Sequence, residues 1–222
     1  MKLLLTSAGI KNASIHAALL ELLGKPIAEC DALCIPTGLY AHPWAGPRQA
    51  WRFVSAEEPE CPMVGLGWKS VGVLELTALP SLPEARWRGW IERTDVLLCD
   101  GGDAAYIAHW LRASGLAELL PTMPEKVWVG LSAGSMVMTP RIGEEFLTWE
   151  SSAGDTTLGV VDSSIFPHLN HPDLPDNTLA AAERWAAAMP GPAYAIDDET
   201  AFTVVGGEVA VVSEGEWKLL RA

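Results

Sequence analysis

Apolar residues along this chain fall into short, turn-bounded runs, and between those runs they recur at helical spacing. Residues 2–7, K-L-L-L-T-S, read as a buried strand. In 12–25, N-A-S-I-H-A-A-L-L-E-L-L-G-K, apolar positions three and four apart predict a helix with Asn12 near its cap and Gly24 near its end. D-A-L-C-I-P-T (31–37) predicts the next strand, and a loop rich in Pro, Gly and Trp leads to a helix around 48–56. The alternation continues through strand 71–76, helix 83–92, strand 95–100, helix 104–113 and strand 126–131. Strands separated by helices imply a mostly parallel sheet covered on both faces, because parallel neighbours need a crossover that packs back on the sheet. The expected class is therefore α/β, a three-layer sandwich. Beyond residue 158 the texture changes to one helix, 178–188, and the run A-F-T-V-V-G-G-E-V-A-V-V-S (201–213). That run predicts a C-terminal β-hairpin turning at Gly206-Gly207. With 222 residues, and with no internal repeat, low-complexity stretch or long linker, a single domain spanning 1–222 is expected.

Composition narrows the partners. The chain is 49% hydrophobic and 19% charged, which is a globular balance. Its net charge of -13, with no run of Lys or Arg, argues against binding nucleic acid or an anionic membrane. The first apolar run lasts three residues, too short for a secretory core, and no later segment approaches a membrane span. These features predict a cytoplasmic protein, monomeric or homodimeric. Its four cysteines (Cys30, Cys34, Cys61, Cys99) are expected to be reduced and to act as small hydrophobes.

Candidate chemistry begins where the apolar run V-W-V-G-L stops at S-A-G-S. Gly130-Leu131-Ser132-Ala133-Gly134 fits G-x-S-x-G, in which a serine sits on a sharp strand-to-helix turn that lifts Oγ clear of the backbone. The following N–H, that of Ala133, is then placed to stabilise an oxyanion. Of five histidines, His16 and His109 fall within predicted helices and His42 lies in the Pro-rich loop. His168 and His171 remain, in F-P-H-L-N-H-P-D between Pro167 and Pro172, and His168 is the candidate general base. A pair of structural loop histidines, or a metal site from His168, His171 and Asp173, are the alternatives there. C-D-G-G-D (99–103) ends another strand, where the Gly101 or Gly102 amide could supply a second oxyanion donor. It is not G-x-G-x-x-G, so no dinucleotide site is read.

Taken together, these residues resemble the peptidase E (aspartyl dipeptidase) family, related to cyanophycinases and sharing a class I glutamine amidotransferase-like architecture. The resemblance is carried by L-L-L-T-S, D-A-L-C-I-P-T, D-G-G-D-A-A-Y, G-L-S-A-G-S, F-P-H-L and I-D-D-E-T. It implies that Ser132 is the nucleophile, His168 the base and Glu199 the orienting acid, with Glu145 the alternative acid. It also implies an acyl-enzyme route to hydrolysis of dipeptides or short peptides, with no cofactor and no metal. Asp103, where the family shows Asn, and Arg184 become the expected substrate-binding residues. Family members that prefer N-terminal aspartate hold it with an arginine from the helix after the histidine, whereas Leu179 stands at that place here. Preference for acidic peptides is therefore expected to be weakened. Two other readings compete. An α/β-hydrolase esterase could run Ser132, Asp155 or Asp162, His168, and a non-catalytic binding protein could retain the fold.

Overall fold

Successive residues of the central strands pack into cores on opposite faces of the sheet, which shows where the layers lie. The computed structural model describes residues 1–57 and 62–222, so Cys61 lies outside the described residues. Its first half forms β1 (Lys2–Thr6), α1 (Ala13–Leu23), β2 (Asp31–Ile35), α2 (Pro47–Val54), β3 (Ser70–Val73), α3 (Glu84–Glu92), β4 (Val96–Cys99) and α4 (Ala104–Ala113). The second half adds α5 (Leu116–Leu119), β5 (Val127–Leu131), α6 (Ala133–Met136), β6 (Ser164–Phe166), α7 (Leu179–Ala187) and β7 (Ala193–Ile196). It closes with β8 (Thr200–Val205), β9 (Glu208–Ser213) and β10 (Trp217–Arg221).

Seven strands make one sheet in the order β3-β2-β4-β5-β1-β8-β9. The first five run parallel, while β8 pairs antiparallel with β1 and β9 with β8. Leu3, Leu5, Leu97, Cys99 and Trp128 join a core on one face with Trp87, Ile91, Ile107 and Leu111 of α3 and α4. Leu4, Val96, Leu98, Val127 and Val129 point the other way, onto Ile15, Leu19 and Leu22 of α1 and Phe53 of α2. Strands buried on both faces have no polar side to show, which is why β4 and β5 read as continuous apolar runs. The edge strands β3 and β9 are largely exposed.

Local chemistry sets the helix ends as the sequence predicts. Asn12 accepts from the Ile15 N–H at 2.9 Å, and Gly24 closes α1 in the left-handed region at φ 68. Thr178 caps α7 by accepting from the Ala181 N–H. The hairpin β8–β9 turns at Gly206-Gly207.

Two expectations are corrected. The strand expected over 71–76 ends at Val73, because Leu76–Ser81 winds into a 3-10 turn whose first N–H groups are taken by Thr37 and Glu75 side chains. A second sheet, β10-β7-β6, was not legible in the sequence. It packs beneath α7, with Trp185, Ala182, Phe166 and Ala195 forming its own core. This small sheet matters for the site, since β6 leads into His168 and β7 into the acidic turn 197–199. No helix of the described residues is long and apolar enough to cross a membrane. Cys30, Cys34 and Cys99 are buried as free thiols, and burial, helped by the charge of Asp100, pushes the Cys34 thiol up to about 12.

Candidate active site

At the carboxyl end of β5 the backbone turns abruptly. Ser132 adopts φ 48 and ψ -111, outside the regions that a residue with a Cβ normally occupies. Close packing on either side explains its small neighbours. A Cβ on Gly134 would lie 2.2 Å from the Cys99 carbonyl oxygen, and one on Gly130 would lie 2.3 Å from the Gly134 oxygen. The last residue of β1 braces this turn. Thr6 accepts the Ser132 N–H at 3.0 Å and the Ser135 hydroxyl at 2.8 Å through its carbonyl, and its own hydroxyl donates to the Gly130 carbonyl at 2.7 Å. Ala133 opens α6, so its N–H has no acceptor within the helix.

Neighbouring β4 delivers the glycine pair to the same place. A Cβ on Gly101 would come 3.6 Å from that of Ser132. Gly102, at φ 107, packs so tightly on Gly38 that a Cβ would stand 2.3 Å from its carbonyl. The Gly101 N–H donates to Asp100 Oδ1 at 2.7 Å, which leaves Gly102 as the glycine amide not turned onto that carboxylate.

His168 follows β6 in a left-handed conformation, φ 57. Its backbone N–H donates to Ser7 Oγ at 2.8 Å, and its Nδ1 stands 2.7 Å from Asp198 Oδ1. Ser7, fully buried just after β1, donates in turn to the same Asp198 oxygen at 3.0 Å. His171 Nε2 lies 3.5 Å from the other Asp198 oxygen, and its Nδ1 accepts from the Asp173 N–H at 3.1 Å. Burial alone would push the Asp198 carboxyl up. The hydrogen bond and charge of His168, the Ser7 hydroxyl and the charge of His171 outweigh that effect and hold it below the ordinary carboxylate range.

The acid expected at His168 was Glu199, and the structure places Asp198 there instead. Three consecutive acids occupy the turn between β7 and β8, and each side chain departs differently. Asp197 accepts from the Glu199 N–H and the Thr200 hydroxyl, closing the turn. Asp198 faces His168, whereas Glu199 reaches Asn12, whose amide donates to it at 3.0 Å. Both residues expected to bind substrate are also elsewhere. Asp103 is buried as the cap of α4, accepting from the Tyr106 N–H, and it ties down the 148–149 backbone by accepting from Thr148 and Trp149. Arg184 is exposed on α7 and does not line the cavity at Ser132. Of the acids considered for an esterase order, Asp155 is held by Arg141 at 2.9 Å and by the Gly143 N–H. Asp162 is exposed and outside the cavity lining. Sequence reasoning missed Thr6, Ser7 and Asp198. The available signal was a polar T-S pair ending an otherwise apolar strand, where a side chain is held by the fold yet faces the crevice.

Ser132, Ala133, Gly101, Gly102 and His168 line one cavity of about 590 Å³. Glu145 and Trp44 also line it, while Trp51 is exposed outside. A hollow of about 680 Å³ between α4 and the 149–156 loop contains none of these residues. Among the described residues no group of three or more His, Cys, Asp or Glu is arranged to hold a metal.

A strained serine at a strand-to-helix turn on the carboxyl edge of a parallel sheet, sharing a cavity with a carboxylate-bound histidine, defines an α/β protein of the serine-hydrolase kind. The model of peptidase family S51 matches residues 3–212; the chain belongs to that family and is a serine-type peptidase. Solved structures agree on the fold. A candidate peptidase E from Listeria monocytogenes EGD-e superposes with a TM-score of 0.70 at 17% identity, covering 96% of this chain and 98% of its own. A peptidase from an acI-B1 Actinobacterium gives 0.67 at 19% identity, covering 99% and 90%. Among proteins of curated function, none matches this chain.

Proposed function

We propose that this protein hydrolyses dipeptides or very short peptides through an acyl-enzyme on Ser132. The observation that carries the reading is the pairing of a strained Ser132 with His168 on the wall of one cavity, His168 being bound through Nδ1 by Asp198. With Nδ1 so engaged, Nε2 is the nitrogen that takes the Ser132 proton as Oγ attacks the scissile carbonyl. The same nitrogen returns that proton to the leaving amine, and water then repeats the cycle to release the acyl group. Asp198 keeps the tautomer and steadies the imidazolium. The Ala133 and Gly102 amides, both on the wall of the cavity that holds Ser132, are the donors for the oxyanion. A cavity of about 590 Å³ suits a small peptide rather than a folded chain.

A fluorophosphonate probe tests the reading directly. Wild-type protein is expected to be labelled at Ser132 and to cleave dipeptides. Ser132→Ala and His168→Ala are each expected to lose about 10⁴ to 10⁶ in turnover, since such residues act as a unit. A folded protein that is neither labelled nor active on a dipeptide panel would instead be a binding protein on the same scaffold.

A further inference from the structure

The walls around Ser132 carry charge of one sign. Asp100, Glu145, Asp173 and Asp176 line the cavity, and neither Lys nor Arg does. They arrive from separate segments: the end of β4, the 3-10 turn Glu144–Phe146, and the loop that follows His168. Among the described residues, no hydrogen bond or ion pair engages the carboxylate of Glu145, Asp173 or Asp176. Of the two histidines in the lining, His42 is pushed down by burial, against the opposing charge of Asp103, and so stays neutral at neutral pH. Arg141, the cation nearest in sequence to the Glu145 turn, is committed to Asp155 at 2.9 Å. Resting on the reading of Ser132 as nucleophile, we infer that the substrate carries positive charge beside the scissile bond: a short peptide with a free amino terminus and a basic N-terminal residue.

Electrostatics supports this assignment more strongly than hydrogen-bond geometry could for a flexible ligand. A Lys or Arg side chain entering this cavity meets three unpaired carboxylates at the mouth and one near the floor. An acidic side chain meets the three exposed carboxylates, and no Lys or Arg lines the cavity to offset them. The overall charge of -13 acts in the same direction at long range. Each carboxylate at the mouth is exposed, so one alone contributes little, on the order of twofold to fivefold, and the effect arises from their sum.

The experiment compares kcat/KM for Lys-Leu, Arg-Leu, Leu-Leu and Asp-Leu, with probe labelling run on the same preparation. Lys-Leu and Arg-Leu are expected to exceed Leu-Leu by about tenfold and Asp-Leu by about a hundredfold. Raising ionic strength from about 0.1 M to about 1 M should compress those ratios, since the Debye length falls from about 10 Å to about 3 Å. Glu145→Gln combined with Asp173→Asn and Asp176→Asn should bring the Lys-Leu to Leu-Leu ratio close to one. N-acetylation of Lys-Leu should lower its kcat/KM. Cleavage of Leu-Leu or Asp-Leu at least as fast as Lys-Leu overturns the inference and leaves the peptidase reading standing. Absence of both labelling and hydrolysis removes the reading and the inference together.

Discussion

At the scale of single residues, the site depends on where side chains leave a turn. Asp197, Asp198 and Glu199 are adjacent and chemically alike, yet one closes the turn, one faces His168 and one reaches Asn12. No periodicity ranks three consecutive acids in a turn, which is why the sequence reading took Glu199 where the structure sets Asp198 against His168. Ser132 and His168 were legible because each is marked by its neighbours: small residues about the serine, prolines about the histidine. Asp198→Asn should lower turnover by about 10² to 10⁴ with little change in KM, because the amide cannot steady an imidazolium. Glu199→Gln should stay within about threefold of wild type, as its partner is an amide that an amide can also satisfy. Steady-state kinetics on one dipeptide decides between them, and the opposite ranking would return the role to Glu199. Ser7→Ala tests the brace: it removes the acceptor of the His168 N–H and a donor to Asp198 in one step. Turnover should fall by about tenfold or more, and much less when Asp198→Asn is already present, because the two residues act through one network.

At the scale of elements, the junction of β5 and α6 is set by backbone contact rather than by side chains. Gly134 rests against the carbonyls of Cys99, which ends β4, and of Asp100 just after it, so a methyl group there must push α6 away from β4. Gly134→Ala should lower stability by about 1 to 3 kcal/mol and slow labelling of Ser132, by analogy with overpacked cores. A urea titration and a labelling time course check the two effects, and a variant unchanged in both would mean that the elbow tolerates a wider turn. The alternating α/β half of the chain was readable because its strands are Leu- and Val-rich apolar runs that alternate with helical spacing. The second sheet escaped for a physical reason. β6 is three residues, S-I-F, and β7 is A-Y-A-I, too short and too alanine-rich to show a period. Their strand form comes from pairing with each other and with β10 under Trp185, a tertiary effect that local propensity does not encode.

At the scale of the whole molecule, the site and the stability of the fold share a charge. Asp198 links β7 to the loop after β6 through His168, and reaches the end of β1 through Ser7. Its folded-state pKa lies below the ordinary carboxylate value of 3.8, burial being outweighed by its histidine and serine partners. A carboxyl depressed on folding stabilises the native state fully above its unfolded pKa, and loses that contribution as pH falls through the lower folded value. The unfolded chain binds the proton first, so stability drops on the acid side. Over the neutral range the net charge of -13 works in the other direction, since self-repulsion weakens as other carboxylates take up protons. Wild type should therefore hold or gain stability as pH falls from about 7 toward about 5, and then lose it below about 4. Asp198→Asn should be less stable than wild type at neutral pH, with the gap closing below the ordinary carboxylate value of 3.8 as wild-type Asp198 protonates. Urea midpoints measured across that range check the sign, and a gap that widened in acid would show that Asp198 is not the ionised partner of His168 in the folded protein.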